Sequence, residues 1–116
     1  MRGREDGVEA FLPLKPAWFH ILLALADGPR HGYAIRVEVE ARTEGRVRLW
    51  PATLYGSIRD LAEAGLIEEG EADPVDDARR RIYRLTGAGA RVLAAEAARM
   101  QALVDAARAT RALEGA

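Results

Sequence analysis

Cysteine is absent from this 116-residue chain, which excludes a disulfide framework, a thiolate metal site and a cysteine nucleophile. Histidine is nearly as scarce. His20 and His31 are the only two, too few for a histidine-based metal cluster. Excess charge of either sign is also missing: 17 Lys plus Arg face 18 Asp plus Glu, a formal net charge of −1, so no polybasic tail marks a nucleic-acid partner. The longest apolar run, Ile21 to Ala26, is far too short to cross a bilayer. The opening residues, with Arg2, Arg4, Glu5 and Asp6, lack the apolar stretch of a signal peptide. A soluble cytoplasmic protein of one domain is expected. Large apolar side chains are in short supply as well. Apolar residues make up 49% of the chain, 57 in all, but 23 of them are alanine, leaving 34 to build a core. Small domains already bury a modest share of their surface, so a core this thin points to a homodimer before any motif is read.

What is present falls into six elements. Pro16 suits a first helical turn, and Trp18, Ile21, Leu22 and Leu25 share one face of a helix over 16–26, stopped by Asp27-Gly28-Pro29. A second helix is expected over 32–43, with Ala34, Ile35 and Val39 inward, ended by Glu44-Gly45. After an extended piece, Pro51 opens a third helix over 51–64 whose inward stripe is Leu54, Ile58 and Leu61. Two short strands follow, 66–69 and 80–85, joined by a polar loop carrying Pro74 and three aspartates. Thr86 can cap a last helix over 87–113, where 11 of 27 residues are alanine. In that helix Leu93, Ala97, Met100, Val104 and Ala107 repeat at 4-3-4-3 spacing, the pattern of a helix packed lengthwise on another.

This order, three helices, a hairpin and a long helix, describes a mainly α fold with a small β-hairpin wing. It is a winged helix-turn-helix over 14–86, a dimerisation helix over 87–116, and a flexible arm over 1–13. In such a fold the third helix is held at its base while its free face enters the major groove of DNA. That free face offers Ala52, Thr53, Gly56, Ser57 and Arg59: small residues permit close approach, and Thr, Ser and Arg donate to phosphate or base edges. Tyr55 and Tyr33 are further candidates for DNA contact, each balanced against packing inside the domain. Local charge supports this surface. Residues 30–59 hold six arginines against three glutamates, 60–78 hold eight acids and no base, and 79–91 hold five arginines and no acid. Arg79, Arg80 and Arg81 thus join the candidate contacts. Strand alternation sets Arg79, Arg81 and Tyr83 on one face and Arg80, Ile82 and Arg84 on the other, so they cannot all face DNA. The bland reading is a solvated surface whose arginines pair with neighbouring acids.

The stretch Trp50 to Ile67, WPATLYGSIRDLAEAGLI, resembles the recognition-helix signature of the PadR-like transcriptional regulators. Upstream, Leu22 to Leu25, Gly28 and His31-Gly32-Tyr33-Ala34-Ile35 are similar to that family's first-helix end and second-helix start. Downstream, Arg79 to Thr86 and then Gly89 resemble its wing strand and final helix cap. The resemblance covers about residues 16 to 100. It implies a homodimeric regulator, usually a repressor, acting on double-stranded operator DNA and belonging to the short subgroup with a single C-terminal helix. It also implies a dimer made by that helix with help from the first, hence by Trp18, Leu22, Leu93, Ala97, Met100, Val104 and Ala107. Some relatives sense a hydrophobic small molecule between subunits, where Trp18 and Phe19 would lie. The drug-sensing ones place Trp in the last helix, and here that helix has no aromatic residue.

Other classes are weaker. An enzyme finds no Gly-rich phosphate loop, no nucleophile–base pair and no paired carboxylates in a cleft. No cofactor or metal is expected: Asp73, Asp76 and Asp77 cluster without the spacing of a calcium loop. Trp50 is expected to pack at the mouth of the third helix, and His31 to cap the second. The alternative function is a winged-helix protein-interaction module without DNA binding. Acids on the outward face of 51–59 would favour it, and there are none.

Overall fold

Proline at the first helical position needs no N–H donor and starts with a helical φ, and this chain uses it twice. A computed structural model describes residues 7–70 and 81–115. In it α1 spans Pro16–Leu25, α2 Gly32–Arg42, α3 Pro51–Glu63 and α4 Gly87–Arg108, with a 3-10 turn at Arg111–Leu113. The strands are β1 (Arg30–His31), β2 (Ile67–Glu69) and β3 (Ile82–Leu85), in the antiparallel order β1-β3-β2. Glu68 lies opposite Arg84, Glu69 opposite Tyr83, and Arg30 opposite Tyr83 on the other edge. The expected helices and the two-stranded wing are present.

β1 is the element that the amino-acid pattern does not announce. Two polar residues after Gly28-Pro29 carry no alternation, yet they complete the second edge of β3. Arg30 secures the corner: its Nε donates to the Ala24 carbonyl at 2.8 Å, meeting one of the orphan acceptors at the end of α1. His31 caps α2, its Nδ1 accepting the Ala34 N–H at 3.4 Å, as its place before Gly32 suggested.

α1 is the hub. Ile21, Leu22, Ala24 and Leu25 are buried on it, and it packs against α2, α3, α4 and β3. Ile35 and Val39 arrive from α2, Leu54, Ile58 and Leu61 from α3, Leu66 and Ile67 from the start of the wing, and Val92 from α4. Each large side chain fully removed from water contributes about 1.5–3 kcal/mol. Segment 7–13, read as an arm, lays Val8, Phe11 and Leu12 against this core, and Leu14 is buried in it.

α4 divides into two halves with different surroundings. Its first turns lean on the domain through Gly89, Val92 and Glu96, at i, i+3 and i+7. Thr86 anchors its start, the hydroxyl donating to the Gly65 carbonyl at 2.7 Å and accepting the Gly89 N–H at 3.0 Å. Gly89 is the one residue that fits there, because a Cβ would sit 2.0 Å from the Leu66 carbonyl oxygen. From 101 to 115 every residue is exposed.

Candidate nucleic-acid interface

α3 presents its outer face because its inner one is spent. With Leu54, Ile58 and Leu61 buried, Ala52, Thr53, Tyr55 and Arg59 are left exposed and Gly56 and Ser57 half-exposed. This is the surface that the periodicity outlined. The Arg59 side chain, 70% exposed, lies 3.7 Å from the Asp60 carboxylate, and its pair is this neighbour and not Glu63 one turn on. An exposed pair at that distance holds little energy, so the guanidinium is available to a stronger acceptor.

Tyr55 serves two ends at once. Its ring covers the backbone of Gly32, where a Cβ would come within 2.7 Å of a ring carbon, so the start of α2 is fitted against α3 through a residue with no side chain. The same side chain remains 50% exposed. Tyr33, one position after that glycine, is 63% exposed. The phenol packing that Tyr33 was weighed against is therefore small.

The wing lies alongside. A groove of about 400 Å³ runs between α3 and β3, lined by Tyr55, Ile58, Arg59, Glu63, Arg81 and Tyr83 among others. Arg81 and Tyr83 share it and Arg84 does not, as strand alternation required. Arg81 meets Glu69 at 3.4 Å and Arg84 meets Glu68 at 3.5 Å, both across the β2–β3 pair. Burial, with the Glu69 carboxylate beside it, raises the Tyr83 phenol above its ordinary range, so the phenol stays protonated and can donate. Arg79 and Arg80 lie outside the described residues, as does the Asp73–Asp77 cluster. Among the described residues no group of three His, Asp or Glu is placed to hold a metal ion.

The expected interface residues separate by burial. Leu93 and Met100 are half-buried, and Ala97, Val104 and Ala107 are exposed along one stripe of α4. Trp18 is half-buried against the core of its own chain. Leu22 is a correction: it is fully buried within its own chain, between α1 and the elements around it, and has no surface left for a partner. Trp50 is a second correction. It does not pack at the mouth of α3 but stands 60% exposed, because Leu49 takes the inward position beside it.

Three functional features went unread in the sequence. Leu103, 57% exposed, widens the apolar stripe of α4. Arg46 and Arg48 project from the segment leading into α3, a placement signalled by the alternation of Val47 and Leu49 with them. Glu96 is 2% exposed, and its carboxylate accepts Arg99 Nε at 2.6 Å, Arg99 Nη2 at 2.9 Å and the Leu14 N–H at 3.1 Å. Arg99 beside it holds the Glu96 carboxyl below the usual carboxylate range. In an alanine-rich helix its only signal was its register with Gly89 and Val92.

Comparison with known proteins agrees with this geometry. Residues 21–95 match the model of the transcriptional regulator PadR-like family. Over 83 residues the chain is 41% identical to an uncharacterized 37.1 kDa protein in transposon Tn4556 of Streptomyces fradiae; the match covers 72% of this chain but 22% of that protein, so the chain spans about a fifth of that curated relative. Among solved structures, the hsRosR–S4 complex of the H. salinarum regulator RosR is similar at TM-score 0.68 and 27% identity, over 84% of this chain and 79% of that one. Bacillus subtilis PadR in complex with operator DNA shares the fold at TM-score 0.61 and 20% identity, over 68% of this chain and 45% of that one. No helix among the described residues is long and apolar enough to cross a membrane. By its matched core, its fold and the arrangement of its exposed third helix, the chain belongs to the PadR-like family of transcriptional regulators, a family of regulators and not of enzymes.

Proposed function

We propose that the protein is a sequence-specific DNA-binding repressor that acts as a homodimer in the cytoplasm. One observation carries the reading: the exposed face of α3 from Pro51 to Arg59 holds no acid, and it stands over three buried aliphatic side chains that fix its position. Such a helix can enter a major groove without repelling phosphates, Arg59 being suited to the O6 and N7 of guanine and Thr53 and Ser57 to phosphate or base edges. Tyr33 and the wing arginines Arg79, Arg80 and Arg81 then border the groove. That a family relative is named in complex with operator DNA supports the choice of partner.

The pairing surface is the stripe Leu93, Ala97, Met100, Val104 and Ala107. It lies about 100° round α4 from the Gly89–Val92–Glu96 stripe that leans on the domain, so both can be occupied together. Two copies joined there present two α3 helices to half-sites about one helical turn apart, ~34 Å. A hydrophobic small molecule seated between subunits, beside Trp18 and Phe19, would act by altering that spacing.

The test is a titration of the duplex lying upstream of the chain's own gene, against a scrambled duplex, by fluorescence anisotropy. The Arg59→Ala variant should bind the upstream duplex roughly tenfold to a hundredfold more weakly and lose its preference for it, the cost of about 1–3 kcal/mol expected for one bidentate base contact. Equal affinity of variant and wild type on both duplexes would remove α3 from the interface.

A further inference from the structure

The segment between α2 and α3 holds two arginines that nothing in the described chain engages. Residues 46–50 run extended with alternating faces: Val47 packs on the core and Leu49 is 4% exposed, while Arg46, Arg48 and Trp50 point outward. The strip is held, not loose. The Thr43 hydroxyl donates to the Val39 carbonyl at 2.8 Å and accepts the Val47 N–H at 3.0 Å, tying its start to the end of α2. Its other end is the residue that begins α3.

Neither Arg46 nor Arg48 has an ion pair or a side-chain hydrogen bond among the described residues. Arg59, Arg81 and Arg84 all do, with Asp60, Glu69 and Glu68. From Gly45 to Arg59 there are three arginines and no acid. Aromatic exposure converges on the same place. Of seven aromatic residues, the three that stand out from the surface are Tyr33, Trp50 and Tyr55, at 63%, 60% and 50%, and all belong to α2, α3 or the strip joining them. An indole offers an apolar face and one N–H donor, which suits a sugar–phosphate backbone.

We infer that residues 46–50 form a backbone clamp. Arg46 and Arg48 each neutralise one phosphate, and Trp50 lays its ring against a deoxyribose with Nε1–H directed to a phosphate oxygen. The inference rests on the reading that α3 enters a groove of DNA, since the strip ends where α3 begins and so reaches the strand bordering that groove. Contacts of this kind position the protein and carry no sequence information. They add affinity equally on every duplex, unlike Arg59.

The experiment uses the full chain and a mixed-sequence duplex about three helical turns long, titrated over a salt series. In an Arg46→Gln/Arg48→Gln variant the slope of log affinity against log salt should fall by about 2, and the loss should be the same on the upstream duplex. Both side chains are exposed and unpaired, so the variant should melt at the wild-type temperature. In a Trp18→Phe background Trp50 is the sole indole, and its emission should change as the duplex saturates. An unchanged slope overturns the arginine clamp, and a silent indole removes Trp50 from it. Either result leaves the α3 reading standing if Arg59→Ala still abolishes sequence preference. Failure of the wild type to bind any duplex sinks both.

Discussion

At the scale of single residues, close approach and hidden charge give the sharpest expectations. Gly89→Ala drives a methyl group into the Leu66 carbonyl, and backbone cannot yield as a flexible side chain can. It should destabilise the fold by about 2–3 kcal/mol, read from thermal or urea unfolding. Glu96 is a different case. Its folded carboxyl titrates below the usual range because Arg99 and the Leu14 N–H bind the charged form. The stabilisation is therefore complete above the ordinary carboxylate range and is lost as pH falls through the lower, folded value. Glu96→Gln should lower the melting temperature by several degrees at neutral pH. The gap between wild type and variant should close as the buffer is taken to acid, and melts across a pH series check the sign. Nothing in the local sequence set Glu96 apart from the exposed glutamates, because its partners sit 82 residues away at Leu14 as well as next door at Arg99.

At the scale of elements, the helices were legible because each pairs a periodic apolar face with explicit start and stop chemistry. Thr86 is the instructive one. It was readable as a cap from its position before an alanine-rich run, and it also donates to the Gly65 carbonyl, which ties the end of α3 to the start of α4. Thr86→Ala should cost about 1 kcal/mol, and Thr86→Ser should restore most of it, since the serine hydroxyl can make both bonds. β1 was not legible. A two-residue polar strand has no pattern of its own and exists only because β3 offers it an edge. The wing arginines were visible as a basic run, but their pairing with Glu68 and Glu69 follows from the β2–β3 register, which a charge count does not contain.

At the scale of the whole molecule, the distal half of α4 is the feature that a lone chain does not explain. Leu103 and Val104 are 57% and 45% exposed on a helix that turns no face from 101 onward toward its own domain. Placing a charge in the middle of the proposed pairing stripe, as in Val104→Glu, should turn the dimer into monomer at micromolar concentration in sedimentation velocity. Its DNA affinity should fall with it, since each half-site would then be bound alone. Retention of the dimer would move the pairing surface elsewhere on the chain.

The amino-acid order by itself determined the helices, the two-stranded wing, the buried stripe of α3 and the family, because periodicity, caps and breakers act within a few residues and need no distant partner. Only the tertiary structure decided which arginines are engaged and which stand alone, that Leu22 is spent inside its own chain, that Trp50 faces solvent, and that Glu96 is buried with a clasp on Leu14. Those outcomes depend on which surfaces meet after the chain has turned back on itself, and a side chain's partner across that distance is set by packing geometry, not by its neighbours in sequence.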